Sequence, residues 1–222
     1  MKKKLSTANI IILVYLAVQF LPIPLMVFIP AEDRIGMSLT ISLTTALIGS
    51  IIMILLNKKK KWTPVNSITL GKSASYGKII LWGIAGFIGA IILQVLAASI
   101  ETAIFGVTPG SQNTDLLLDL TNTYPLYIFG LTLFAPIMEE FVFRKAIVTQ
   151  LVDHIGFMGA AVVSSLLFAL AHMDGHMLIY GTLGLWFSYL YRKTNNIFTP
   201  MLAHGIMNAF ASLPVFFPEL FL

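Results

Sequence analysis

The sequence predicts an all-α fold, a polytopic transmembrane helical bundle of about seven spans. Three observations carry that prediction. Of the 222 residues, 57% are hydrophobic and only 11% are charged, less than half the roughly 25% charge of a soluble domain. The mean hydropathy is +0.87. Apolar runs of about the 20 residues needed to cross roughly 30 Å of hydrocarbon recur along the chain, with short basic clusters between them. An ordinary soluble domain and a disordered chain are both excluded, because apolar residues dominate and the net charge is only +4. The pI near 9.3 does not point to nucleic acid, since the basic residues lie where membrane anchors lie. With no cysteine, disulfides, thiolate metal ligands and a cysteine nucleophile are ruled out.

The first span runs from about Thr7 to Ile29 behind Lys2, Lys3 and Lys4. A signal peptide is not expected there, because the apolar run is too long and Gln19-Phe20-Leu21-Pro22 is no small-residue cleavage site. The second covers about Gly36 to Leu56 and stops at Lys58 to Lys61; the third covers about Ile79 to Ile104. Between them, Trp62 to Lys78 is polar and suits the interface. A long loop is expected from Phe105 to Thr123. The fourth span starts near Tyr124 and Pro125, the fifth covers Phe157 to Ala171, the sixth Met177 to Tyr191 and the seventh Ile197 to Leu213. The chain reads as a single membrane domain over residues 1–222, since no internal repeat or linker divides it.

In this seven-span arrangement, thirteen of the fourteen Lys and Arg residues fall on one side and only Arg34 on the other, where Asp115 and Asp119 also lie. The basic side, with the N-terminus, is expected in the cytoplasm.

A charge near the bilayer centre costs at least about 2.5–3.5 kcal/mol, so ionisable side chains inside apolar runs face a protein interior or a wet cavity. Glu139 and Glu140 stand in span four, His172 ends span five, and His204 stands in span seven with Asn208 four residues on. Glu140 precedes Arg144 by four, the favoured order for an intrahelical ion pair. Glu139 has Ala135, Pro136, Val142 and Phe143 at three and four positions away, so no intrahelical cation neutralises it. An unpaired carboxylate in apolar surroundings suits general acid–base chemistry, and Pro136 is placed to kink the helix beside it.

Phe168 and His172 share a helix face, as do His204 and Asn208. Glu140 and His172 are each sixteen residues from Gly156, an expected turn, so equal helical arms bring them level. His204, about ten residues past Thr194, is expected about 9 Å away in depth at 1.5 Å per residue. Tilt, or a fourth helix projecting beyond the bilayer through Arg144 to His154, would absorb the difference. Each imidazole alone is explained by a hydrogen bond between helices. His154 and His176 are expected in loops, solvated beside Asp153 and Asp174. The combination of an unpaired carboxylate, two imidazoles and a carboxamide from three spans is what suggests a reaction centre.

At these residues the C-terminal half, about residues 124–213, resembles the CAAX prenyl endopeptidase and bacteriocin-processing (CPBP, or Abi) family of intramembrane proteases. Three motifs carry the resemblance: Glu-Glu-x-x-x-Arg at Glu139, Glu140 and Arg144, Phe-x-x-x-His at Phe168 and His172, and His-x-x-x-Asn at His204 and Asn208. The resemblance implies a CAAX-type endopeptidase whose site lies in a cavity open to the cytosol. It implies Glu139 as the base that activates water, with His172 assisting. His204 and Asn208 then polarise the scissile carbonyl and hold the oxyanion, while Glu140, Arg144 and Phe168 support them. No cofactor is expected. Zinc held by His172, His204 and a glutamate is the metal-dependent alternative, disfavoured because the chain has no His-Glu-x-x-His helix. A non-enzymatic immunity or partner-binding membrane protein is the other alternative. A transporter is less favoured, for want of repeated halves or paired broken helices. The expected partners are the lipid bilayer and a membrane-associated peptide or protein, lipidated or amphipathic, in a bacterial plasma membrane.

Overall fold

A computed structural model of the chain describes residues 6–58, 68, 71–108, 110 and 112–220. Lys2 to Lys4, Lys59 to Lys61 and much of the interfacial stretch after Trp62 lie outside the described residues. The main helices are α1 (Thr7–Phe20), α2 (Arg34–Lys58), α3 (Tyr76–Ile100), α4 (Gln112–Thr123), α5 (Ala135–Glu139), α6 (Thr149–His172), α7 (Met177–Thr194) and α8 (Phe198–Ala211). No strand occurs among the described residues. Among the described residues, four helical stretches are long and apolar enough to cross a membrane: Thr7–Phe28, Ala31–Lys58, Tyr76–Phe105 and Pro125–His172. This is an integral membrane helical bundle. The last stretch holds both the fourth and the fifth expected spans, while α7 and α8 fall outside the set, so the count of about seven is not confirmed.

Local chemistry explains the helix boundaries. Ser6 caps α1 by accepting from the Asn9 N–H at 3.2 Å. Within α6, Gly156 has φ 70° and ψ 170°, a conformation that an L side chain resists. The expected turn therefore falls at this glycine, and the chain doubles back between two helical arms. The first arm stays helical through Arg144 to Ile155, so exposed His154 lies on a helix and not in a loop. The expected loop at Phe105 to Thr123 likewise contains α4. That segment is too polar to register as a span, but its Leu117 and Leu118 cover a cavity described below.

Two apolar clusters position the site. Ile11, Met53, Phe141, Phe143 and Phe168 pack α1 and α2 against the Glu140–Val148 segment and α6. Ala90, Leu183, Phe187, Leu190, Ala203 and Met207 join α3, α7 and α8. Lipid gives little hydrophobic drive between helices, so polar ties contribute. Ser164 donates to the Phe143 carbonyl at 2.6 Å, and the Trp186 indole N–H donates to the Gly86 carbonyl at 2.8 Å.

Candidate active site

The candidate side chains gather where the helices depart from ideal geometry. On either side of α5, the chain winds as π-helix over Gly130–Phe134 and Glu140–Val148, a form frequent at functional sites. Pro136 supplies one cause. The Ala135 N–H bonds the Gly130 carbonyl, and in the same register the Leu131 carbonyl meets residue 136, a proline with no N–H to offer. That carbonyl instead accepts from the Asn208 side-chain amide at 2.9 Å. The close approach depends on Gly205, where an added Cβ would lie 2.7 Å from the Thr132 carbonyl oxygen. One amide N–H of Asn208 is thereby anchored. An NH₂ group carries two, and Asn208 lines the cavity.

Glu140 and Arg144 are both fully buried and form the expected ion pair, Nη1 to Oε1, at 3.3 Å. The guanidinium lies 4.3 Å over the Phe168 ring and 5.4 Å over Phe187, so aromatic faces supply much of its company. Glu140 does more than the sequence suggested. Its Oε1 accepts from His204 Nδ1 at 3.0 Å, while Nε2 of the same ring faces Glu139 Oε2 across 3.7 Å, too long for a direct hydrogen bond. Arg144, Glu140, His204 and Glu139 therefore form one chain of charged and polar groups, with Glu139 at the cavity end. The depth mismatch expected for His204 is absent, since its ring meets both glutamates.

His172 reaches the same cavity from the end of α6. Its Nδ1 is 2.8 Å from the Phe168 carbonyl, which only accepts, so Nδ1 carries the proton and a neutral ring keeps its acceptor at Nε2. The ring stacks on Tyr180 at 3.8 Å and meets the Phe168 edge at 4.5 Å. Phe187 stacks on His204 at 4.9 Å. Phe168 thus touches Arg144, His172 and His204 together, giving the phenylalanine of its motif a positioning role. The cavity has a volume of about 360 Å³, and Glu139, His172, His204 and Asn208 all line it beside Tyr15, Gln19 and Gln94.

A second cluster was not foreseen. His176 is buried, 6% exposed, and not a solvated loop residue. Its Nδ1 pairs with Glu101 Oε2 at 2.8 Å and its Nε2 with the Gly110 carbonyl at 2.8 Å. Glu101 Oε1 accepts the Leu178 and Ile179 N–H groups at 2.6 and 3.3 Å, capping the start of α7. The available signal was Glu101 itself, an acid near the end of the third apolar run, to which the same burial cost applies. The cavity lining also includes Glu101, Thr102, Gly110 and Thr114, so it reaches the second cluster. Among the described residues, no group of three or more His, Asp or Glu side chains is arranged to hold a metal ion.

An all-helical membrane bundle with a carboxylate–imidazole–amide cluster opening into one buried cavity is the class that fold and site define. Residues 121–210 match the family described as Type II CAAX prenyl endopeptidase Rce1-like. The chain is 32% identical over 219 residues to the membrane-embedded CAAX protease MroQ of Staphylococcus aureus, covering 93% of this chain and 88% of the relative. It is 39% identical over 148 residues to YdiL of Bacillus subtilis, named as a membrane peptidase, covering 66% of this chain and 61% of the relative. The match thus spans under two thirds of YdiL. No solved structure matches the chain. The chain belongs to the Rce1-like CAAX protease family, a family of membrane peptidases.

Proposed function

We propose that this protein is an intramembrane endopeptidase that hydrolyses a peptide bond in a membrane-associated peptide or protein by glutamate-activated water. The observation that carries the reading is the unequal state of the two adjacent acids. Glu140 is committed to Arg144 and to His204 Nδ1, while Glu139 borders the cavity and, among the described residues, comes no nearer to His204 than 3.7 Å. Glu139 takes a proton from water as the water oxygen attacks the carbonyl carbon, and the acceptor nitrogen of His172 helps to orient that water. The developing oxyanion receives the second Asn208 N–H and, when the ring carries both protons, His204 Nε2–H. Collapse breaks the C–N bond, and Glu139 returns the proton to the departing amine. Donors fixed in advance in a low-dielectric cavity act more strongly than they would in water.

The mechanism routes no step through a metal. Activity of purified protein should survive a strong chelator, and loss on chelation with rescue by zinc would restore the metalloprotease reading. The chain is further proposed to cross the membrane seven times as a single domain with its N-terminus in the cytoplasm, which the basic clusters between the apolar runs support; Arg144, buried against Glu140, is not one of those anchors. The deciding experiment is cleavage of a membrane-inserted peptide by purified protein in liposomes. Wild type should cleave and Glu139→Gln should not; equal cleavage by both would leave the non-enzymatic immunity or partner-binding role.

A further inference from the structure

We infer that the site is reached from the extracytoplasmic face, so that its substrates are peptides displayed on the outer side of the membrane and not peptides presented from the cytosol. This rests on the peptidase reading above and adds the side from which the substrate comes.

The two ends of the bundle are chemically opposite. At one end, Ala74 N–H bonds the Thr194 carbonyl at 2.8 Å and Asn196 bonds Ser73 at 2.8 Å, joining the Lys72 loop to the turn after α7. Arg192 lies 4.3 Å over Phe157, just past Gly156, and Lys193 lies 5.3 Å from the Trp82 ring. These contacts gather the described basic residues Lys72, Lys78, Arg192 and Lys193 onto one end, which the positive-inside rule puts in the cytoplasm. The cavity lies toward the other end. The helices that line it do so with the half remote from that basic end: Gln94 and Ala98 late in α3, Tyr180 early in α7, and Asn208 late in α8. At the remote end its lining includes Gly110, and Thr114 and Leu117 of α4. The stretch from Phe105 to Thr123 has no Lys or Arg and carries Asp115 and Asp119.

The substrate implied is therefore a peptide segment at the outer membrane surface, such as an exported or membrane-anchored peptide, whose scissile bond descends past α4 toward Glu139. The mixed lining suits it, with Leu117, Leu183 and Met207 beside Gln19 and Gln94. A volume of about 360 Å³ lies within the roughly 300–1,000 Å³ of ligand-sized pockets.

The absence of cysteine gives a clean test in the full-length protein. Ala98→Cys reports on the cavity, Leu116→Cys on the outer surface of α4, and Lys72→Cys on the basic end. In intact cells, a charged, membrane-impermeant methanethiosulfonate reagent should modify the first two, and Lys72→Cys only after permeabilisation. If Ala98→Cys misfolds, Leu116→Cys against Lys72→Cys still decides orientation. The companion measurement is cleavage of one reporter peptide fused to a membrane anchor so that it faces outward or inward, and only the outward form should be cut. Labelling of Lys72→Cys alone in intact cells, or cleavage of only the inward reporter, overturns the inference. Detergent-solubilised protein has no sidedness. Its cleavage of the free peptide, lost in Glu139→Gln, therefore keeps the peptidase reading intact when the sidedness fails, and absence of that cleavage condemns the peptidase reading itself.

Discussion

Two buried glutamate–histidine pairs occupy this protein, and the contrast between them separates chemistry from architecture. In the pair at the mouth, every face is spent: Glu101 holds His176 and two N–H groups of α7, and His176 also holds Gly110. In the pair at the floor, Glu140 and Arg144 spend one side of His204, but the other side faces Glu139 across a gap too long for a hydrogen bond. The same two residue types therefore serve different ends. A carboxylate whose acceptors are all engaged is a fastener, and one left at a cavity wall beside a half-engaged imidazole is available to react.

The contrast breaks most sharply at Glu139. Glu139→Gln should lower peptide cleavage by about 10²–10⁴-fold with an unchanged melting temperature in detergent; retained activity would make both pairs structural. Glu140→Gln strands a buried guanidinium, so it should destabilise the protein by about 3–5 kcal/mol, read as a fall in melting temperature, and lose activity as well. Removing the amide in Asn208→Ala should cost about 10²–10³-fold in kcat, with a smaller change in KM.

At the mouth the effects should be smaller and of another kind. Glu101→Gln or His176→Ala loses charge-assisted bonds worth about 1.5–3 kcal/mol. It should open residues 106–123 to limited proteolysis while lowering cleavage by no more than about tenfold. Comparable losses of kcat at the two pairs would erase the distinction. The smallest effect is one of pH. The hydrogen bond that His176 donates to Glu101 holds the His176 pKa above its ordinary value against the cost of burial, with the Gly110 carbonyl and Asp174 helping. A raised pKa means that the protonated ring favours the folded latch. The contribution is fully present below the ordinary imidazole pKa and fades as pH rises through the raised one. The stability difference between wild type and His176→Gln should therefore narrow as pH increases, and a difference independent of pH would show that the ring does not fasten by charge.

Much of the site was legible in the sequence because burying a charge in lipid is costly enough to make each exception informative. Glu139, Glu140, His172 and His204 stand out on that ground, with Asn208 noted for its place four residues after His204, and the Glu140–Arg144 spacing forecasts the pair that forms. His176 did not, because its short polar surroundings read as solvent, and only the fold brings Glu101 to it from 75 positions away. The helix α4 was missed for a related reason. Its polar composition suits a loop, and the apolar face that orders it is defined by the cavity it covers.

Composition and apolar run length by themselves determined that the chain lives in a bilayer as helices, since unpaired backbone groups are not tolerated there. Local spacing determined which side chains on one helix lie together, because helical periodicity is a property of short stretches. Tertiary structure alone decided that Glu140 and not Glu139 takes the hydrogen bond of His204, and that Asn208 occupies the carbonyl left free by Pro136. Each of these is a contact between distant segments at a separation of a few ångströms, and both hydrogen bonding and Coulomb energy are decided at that scale.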